Sequence, residues 1–137
     1  MVEERWKTVA IVDDDTAVLE SFQFMLERAG FPVAAYRSAK AFLRDAGMSP
    51  RCLIVDLNMP CMTGLELAAR LRAEGNAVPV LLVSSSPSPA SIARALEIGL
   101  SGIMEKPLRE DEVTAFIRSC GPGPDRSAIS PPGTGRR

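Results

Sequence analysis

Cys52-Leu53-Ile54-Val55-Asp56-Leu57-Asn58-Met59-Pro60 is the stretch whose pattern fixes the fold class of this chain. Four apolar residues lead into Asp56, and Pro60 with the glycine-containing segment after it ends the run. A short apolar run bounded by breakers is typical of a strand that is buried on both faces of a parallel sheet. Ligand sites of open α/β sheets lie beyond the carboxyl ends of the strands. Asp56 is therefore a candidate reactive carboxylate, with a plain turn residue as the alternative.

On both sides of this stretch, strand and helix patterns alternate five times along the chain. The predicted strands cover residues 8–12, 33–36, 52–55, 78–83 and 102–104. The predicted helices cover residues 16–29, 38–46, 63–74, 89–98 and 110–120. In the fourth helix, Ile92, Ala95 and Leu96 form the expected apolar face. The alternation predicts an α/β fold, a doubly wound five-stranded parallel sheet with helices on both faces.

Composition excludes several classes of site. The 137 residues suit one domain, and a net charge of -1 argues against direct nucleic-acid or membrane binding. The chain has no histidine, which excludes Ser-His-Asp catalysis, phosphohistidine carriers and imidazole metal ligands. Three widely spread cysteines predict reduced cytoplasmic thiols rather than a disulfide framework or a zinc site.

The two ends of the chain differ from the middle in composition. The first seven residues are charged and lack the apolar core of a signal peptide. No stretch approaches the ~18 consecutive apolar residues of a membrane span. The last 17 residues hold four Pro and four Gly, with few apolar side chains. We therefore expect one domain over residues 6–120 and a disordered tail over residues 121–137.

Polar groups follow four of the five predicted strands, and parallel strands all end at one edge of the sheet. These groups are Asp13-Asp14-Asp15, Asp56, Ser84-Ser85-Ser86 and Lys106. Several carboxylates in one pocket repel each other, and Mg²⁺ with its preference for oxygen ligands would relieve that repulsion. A lysine and a hydroxyl group at the same place would bind an incoming phosphoryl group. Asp56 is then a candidate nucleophile that forms an acyl phosphate.

These residues together resemble the receiver domain of two-component response regulators over roughly residues 7 to 120. The resemblance is strongest to the subgroup with an Asp triplet after strand one. The segments that carry it are Asp13-Asp14-Asp15, Asp56, Met59-Pro60, Thr63-Gly64-Leu65-Glu66, Pro79-Val80, Ser84 and Lys106-Pro107. It implies a flavodoxin-like (βα)5 sheet with strand order 2-1-3-4-5.

The resemblance also implies a Mg²⁺ site. Asp14 and Asp56 would bind the ion directly, Asp13 would act mainly through water, and the backbone carbonyl of Asn58 would complete the protein ligands. Asp15, by contrast, is expected to cap the first helix.

Phosphorylation roles follow from the same resemblance. Asp56 would accept the phosphoryl group from a histidine kinase or a phosphotransfer protein. Ser84 would be the switch hydroxyl, Lys106 would pair with the phosphate, and the Lys106-Pro107 bond would be cis. Asn58 and Ser86 stand where the family tunes the lifetime of the acyl phosphate.

Two positions depart from the family pattern. Ile103 stands where an aromatic residue is common, three residues before the lysine, which puts the aromatic part of the switch in question. Cys61 stands where glycine is common, in the segment after Met59-Pro60. We interpret Cys61 as a loop thiol, with a redox role as the alternative.

The predicted function is that of a stand-alone cytoplasmic phosphoacceptor, or a receiver cut from a longer regulator. It would not be an enzyme beyond its own phosphorylation and dephosphorylation. Its output would pass to a protein partner through the fourth helix, the fifth strand and the fifth helix, a face that the family also uses for phosphorylation-dependent dimers. One alternative is a receiver fold that binds partners regardless of phosphorylation. Another is a Mg²⁺ phosphohydrolase of the haloacid-dehalogenase type, although Ala17 breaks that family's motif.

Overall fold

Five parallel strands form one sheet in the order β2-β1-β3-β4-β5. The computed structural model describes residues 7–45, 49–100 and 102–121. The strands are β1 Val9–Val12, β2 Val33–Tyr36, β3 Cys52–Asp56, β4 Val80–Ser84 and β5 Ile103–Glu105. The helices are α1 Thr16–Arg28, α2 Ala39–Arg44, α3 Gly64–Ala73, α4 Pro89–Glu97 and α5 Glu110–Cys120. The predicted fold class and strand order are confirmed.

The central strands β1, β3 and β4 are buried at every residue, which explains their continuous apolar sequences. Successive side chains of a strand point to opposite faces, so each strand contributes to two cores. Val12 and Leu53 pack on the face that α2, α3 and α4 cover. Ile11 and Ile54 pack on the other face, against α1 and α5.

Local capping explains where two helices begin. The Asp15 side chain accepts hydrogen bonds from the backbone N–H groups of Ala17 and Val18 at the start of α1, as predicted. Thr63 and Glu66 form a capping box at the start of α3. These contacts involve neighbours in sequence, so the sequence motif is sufficient to predict them.

Some element boundaries differ from the predicted ones. Strand β4 begins at Val80 rather than Val78, because Pro79 has no N–H for the ladder and contributes only its carbonyl, which accepts from Leu53 N. Helix α2 ends at Arg44. Residues 46 and 47, predicted to end that helix, lie outside the described residues. So do residue 6 and, apart from Gly121, the predicted tail.

The apolar face predicted for α4 is only partly covered in the structure. Ala95 is fully buried, but Ile92 is 38% exposed and Leu96 is 56% exposed. The strand beneath this side of the sheet, β5, is a three-residue edge strand whose own residues are at best half-buried. The sheet is therefore too small here to cover the outer side of α4. No helix in the described ranges is both long and apolar enough to cross a membrane.

Candidate functional site

Four strand ends bring polar side chains to one edge of the sheet. Asp13 directly follows β1, Asp56 is the last residue of β3, Ser84 is the last residue of β4, and Lys106 directly follows β5. The backbone N–H of Lys106 donates to the Ser84 carbonyl at 2.8 Å, which fixes these two strand ends side by side. The convergence predicted from the parallel sheet is present in the structure.

Three carboxylates form a compact cluster at this edge. Asp13, Asp14 and Asp56 each offer an oxygen, and these oxygens lie within 4.8 Å of one another. Asp13 and Asp56 are each only 6% exposed, whereas Asp14 is exposed. Carboxylate oxygens in a half-open pocket are a ligand set that Mg²⁺ accepts, with waters or phosphate oxygens in its remaining positions. The donor set therefore fits the predicted ion.

Lys106 is the positive charge of the cluster. Its Nζ lies 2.8 Å from Asp56 Oδ1 and 3.2 Å from Asp13 Oδ2. Burial lowers the pKa of Lys106, but the hydrogen bonds and charges of Asp56 and Asp13 outweigh that effect and raise the pKa above its ordinary value. The ammonium group is thus held protonated between two acids.

The pKa of Asp56 is raised above its ordinary value of 3.8. Burial is the largest cause, and the negative charges of Asp13 and Asp14 add to it. The hydrogen bond and the charge of Lys106 act in the opposite direction without cancelling the rise. A single lysine does not balance three acids, so the pocket has an excess of negative charge that a cation would relieve.

Ser84 is fully buried, and its hydroxyl oxygen accepts two hydrogen bonds. The donors are the Asn58 side-chain amide at 3.3 Å and the Ser86 backbone N–H at 3.1 Å. Ser85 and Ser86 are exposed, so Ser84 alone of the three serines is held in the core. Its hydroxyl is therefore linked to the loop that follows Asp56 through the amide of Asn58.

Gly64 belongs to the site, although the sequence analysis named it only within a segment that carries the family resemblance. A Cβ atom at this position would lie 2.5 Å from the backbone oxygen of Asp56 and 3.2 Å from the Cα of Leu57. The Gly64 N–H donates to the Leu57 carbonyl at 3.0 Å. Helix α3 can approach the backbone beside Asp56 only because this residue has no side chain. A glycine at the first helical position is the sequence signal for such an approach.

The structure shows the surroundings of the two residues that depart from the family pattern, Cys61 and Ile103. Cys61 is exposed and has a φ of 71°, a left-handed conformation that favours glycine, which explains why glycine is common at this position. Ile103 is half-buried and packs against the core on the α2, α3 and α4 side. The Lys106-Pro107 bond is cis, as predicted.

A cavity of about 540 Å³ opens between α1 and the loop that follows β5. Lys106 lies at this cavity, so the cavity adjoins the carboxylate cluster. Its walls are largely apolar, and its lining residues are Val18, Ser21, Phe22, Met25, Ser85, Lys106, Pro107 and Leu108.

Comparison with known proteins identifies the family. The family model for the response regulator receiver domain matches residues 9–118. The transcriptional regulatory protein FixJ of Bradyrhizobium diazoefficiens is 35% identical over 113 residues, which are 81% of this chain and 55% of that protein. The response regulator protein TmoT of Ectopseudomonas mendocina is 35% identical over 112 residues, which are 81% of this chain and 51% of that protein. The chain spans about half the length of these relatives.

Solved structures agree with this assignment. The crystal structure of FixJ-N has a TM-score of 0.75 and 32% identity, and the match covers 88% of this chain and 94% of that one. A CheY-like response regulator receiver domain protein from Methanospirillum hungatei has a TM-score of 0.76 and 25% identity, with coverage of 82% and 91%. With a matching sequence model, a matching fold and an acidic cluster beside a lysine, this chain belongs to the response-regulator receiver domains of two-component signalling.

Proposed function

We propose that this receiver domain takes a phosphoryl group onto Asp56 from a histidine kinase or a phosphotransfer protein and signals to a protein partner by a conformational switch. The observation that carries the proposal is the position of Lys106, whose ammonium group lies 2.8 Å from Asp56 within a cluster of three carboxylates. An isolated acid at a turn would have neither feature.

Phosphoryl transfer needs a nucleophile and compensation for negative charge. An Asp56 oxygen attacks the phosphorus, the new P–O bond forms as the P–N bond to the donor imidazole breaks, and the departing nitrogen takes up a proton. Lys106 moves with little displacement from the Asp56 carboxylate to a phosphoryl oxygen. Asp13, Asp14, Asp56 and the Asn58 backbone carbonyl would hold Mg²⁺, which when bound offsets charge on the carboxylates and on the phosphoryl oxygens.

The switch would begin at Ser84. Its hydroxyl accepts hydrogen bonds from Asn58 and Ser86 in this structure, so turning toward a phosphoryl group exchanges those bonds for one to the phosphate. Ser84 ends β4, and the loop from Ser85 to Ser88 leads directly into α4. Movement of Ser84 therefore biases the position of that loop and helix.

Two surfaces suit the proposed partners. The apolar cavity beside Lys106 would receive the phosphodonor protein, because a donor docked there brings its imidazole next to Asp56. The downstream partner, or a second receiver in a phosphorylation-dependent dimer, would bind a groove between α4, β5 and α5. Ile92, Ile103, Met104 and Glu112 line that groove. We place both interactions in the cytoplasm, without direct contact to nucleic acid or membrane.

The direct test is incubation of the protein with acetyl phosphate and Mg²⁺, followed by intact-mass measurement. We expect a gain of one phosphoryl group in the parent protein and none in Asp56→Asn. Beryllofluoride with Mg²⁺ should change the spectrum of the parent and leave Asp56→Asn unchanged. Phosphoryl capture that survives Asp56→Asn but is lost in Asp13→Asn would instead support the haloacid-dehalogenase alternative.

One observation favours the second candidate, an interaction module that ignores phosphorylation. Ile103 replaces the aromatic side chain that is common in the switch and is packed on the core. A partner pulldown with and without beryllofluoride separates the two functions. Equal recovery of the partner under both conditions would support the interaction module.

A further inference from the structure

The Asn58 side chain connects the loop after β3 to the end of β4 through a single hydrogen bond. Asn58 lies two residues after Asp56 and is exposed, whereas Ser84 is fully buried. The Asn58 amide donates to the Ser84 hydroxyl oxygen at 3.3 Å. The two residues are 26 positions apart, so this hydrogen bond is a tertiary contact and not part of a turn. It joins the loop beside the proposed phosphoacceptor to the proposed switch hydroxyl.

The sheet holds the backbone on both sides of this hydrogen bond. The N–H of Leu57 donates to the carbonyl of Val83 at 2.8 Å. The N–H of Lys106 donates to the carbonyl of Ser84, also at 2.8 Å. Because its backbone is fixed in this way, Ser84 reaches toward a phosphoryl group by rotating about its Cα–Cβ bond from one staggered rotamer to another. That rotation must break the hydrogen bond from Asn58.

The second hydrogen bond to the Ser84 hydroxyl is local. Its donor is the backbone N–H of Ser86, two residues along the chain, at 3.1 Å. This local bond still satisfies the buried Ser84 oxygen when the Asn58 amide is removed, so the penalty for an unsatisfied buried acceptor does not arise. Replacement of the exposed Asn58 side chain should therefore cost the fold little. What it changes is the freedom of Ser84 to rotate.

We propose that the Asn58 side chain is a latch, which holds the Ser84 hydroxyl in its unphosphorylated position and so sets how readily the receiver switches. Asn58 is a positioning residue in this role, because it acts through Ser84. This role rests on the proposed function, since a switch hydroxyl acts only in a receiver that is phosphorylated. The latch stabilises the inactive state alone, so its removal raises the population of the active state before any phosphoryl group arrives. It is therefore distinct from control of the lifetime of the acyl phosphate.

The strength of one hydrogen bond gives the size of the expected effect. The net contribution of a typical intramolecular hydrogen bond corresponds to about a two- to tenfold change in an equilibrium constant. A ligand that binds only the active state gains apparent affinity in proportion to the population of that state. Beryllofluoride with Mg²⁺ stands in for the phosphoryl group on Asp56. It should therefore bind Asn58→Ala about two- to tenfold more tightly than the parent protein.

A double-mutant cycle tests whether Asn58 acts through Ser84. The parent, Asn58→Ala, Ser84→Ala and the double variant are titrated calorimetrically with beryllofluoride at saturating Mg²⁺, so that a change in metal affinity does not imitate the effect. We expect Asn58→Ala to tighten binding in the parent background. The gain should disappear in the Ser84→Ala background, because no hydroxyl group remains for the amide to hold. Equal or weaker binding by Asn58→Ala, or the same gain in both backgrounds, would overturn the latch.

A second measurement needs no phosphoryl analogue. When Ser84 rotates it releases the Ser86 N–H, so the exchange of that amide with water, followed by NMR in the ligand-free protein, should be faster in Asn58→Ala than in the parent. The matched control is Asn76→Ala, which removes an exposed amide that accepts from Val78 N at 3.0 Å before β4 begins. This control should leave Ser86 exchange as it is in the parent. Unchanged Ser86 exchange in Asn58→Ala would contradict the latch.

The two ways in which these experiments can fail are distinguishable. A parent protein without an Asp56-dependent response to beryllofluoride would overturn the proposed function and, with it, the latch as a threshold for switching. A parent that responds through Asp56 while Asn58→Ala behaves identically would overturn the latch alone.

Discussion

At the scale of single residues, the fold opposes ionisation of the Asp56 carboxyl group. Burial raises its pKa, and Asp13 and Asp14 raise it further against the effect of Lys106. Lys106 keeps a second partner, Asp13, at 3.2 Å. A neutral side chain of the same shape at position 56 therefore removes a cost of folding without leaving the lysine unpaired.

We predict that Asp56→Asn increases the free energy of unfolding at neutral pH. Because the folded pKa lies above 3.8, the Asp56 contribution to stability is fully present below pH 3.8 and is lost as the pH rises through the folded pKa. The advantage of the variant should therefore shrink as the pH falls through the folded pKa toward 3.8, and it should be absent below 3.8. Urea unfolding of both proteins at pH 7 and at about pH 3 measures this difference in the free energy of unfolding. A variant less stable than the parent at neutral pH would mean that the ion pair with Lys106 outweighs burial.

Gly64 is the second residue on which the site depends, and we predict that Gly64→Ala destabilises the domain. The added Cβ would lie 2.5 Å from the Asp56 backbone oxygen, which belongs to a strand and cannot yield as a flexible side chain would. Overpacking of this kind costs about 1–3 kcal/mol. Because the displaced backbone carries the phosphoacceptor, labelling by acetyl phosphate should slow as well.

The matched control for Gly64→Ala is Thr63→Ala at the adjacent position. It removes the hydroxyl that accepts from Glu66 N at 3.1 Å, and loss of an N-cap costs about 1 kcal/mol. No backbone of β3 is displaced by that change, so labelling of the folded protein should match the parent. Equal labelling rates in Gly64→Ala and the parent would show that α3 can shift without moving Asp56.

At the scale of the element, α4 buries only part of its apolar face. Ala95 is fully buried, while Leu96 is 56% exposed. We predict that Leu96→Ala changes the free energy of unfolding by less than about 0.5 kcal/mol, because an exposed side chain leaves no cavity when it is truncated. Ala95→Leu should cost about 1–3 kcal/mol, because the core has no space for the larger side chain. Urea titrations of the two variants test this contrast.

The comparison of these two variants also reports on α4 as a binding surface. If Leu96→Ala keeps stability but weakens partner binding, the exposed side chain acts in recognition. A large loss of stability from Leu96→Ala in the isolated protein would contradict the exposed position of this residue.

At the scale of the whole molecule, four strand ends from distant parts of the chain assemble the acidic pocket, so the pocket exists only in the folded state. A ligand that binds only the folded state stabilises it. The gain is about 2.7 kcal/mol when the free ligand concentration is a hundred times Kd. We predict that Mg²⁺ raises the thermal unfolding midpoint of the parent and does so much less in Asp14→Asn. Asp14 is exposed, so this variant should fold normally.

Calcium and sodium at matched ionic strength provide the control for that measurement, since general screening of the acids would raise the midpoint without needing Asp14. An Asp14→Asn protein that responds to Mg²⁺ as the parent does would remove Asp14 from the proposed ligands.

Local patterns in the sequence were sufficient to predict the five strands and five helices of the described residues, and the family resemblance implied the strand order. Continuous apolar runs such as Leu53-Ile54-Val55 predict buried parallel strands, and Asp15 and Thr63 cap their helices through neighbours in sequence. The meeting of Asp13, Asp56 and Lys106 was predictable as well, because parallel strands end at one edge. Their roles in phosphorylation remain predictions that the experiments above test.

Only the tertiary structure decided which residues of α4 are covered and how closely Gly64 approaches Asp56. Helical periodicity shows which residues share a face, but burial depends on how far the neighbouring sheet extends. A close approach between backbones depends on how two elements pack.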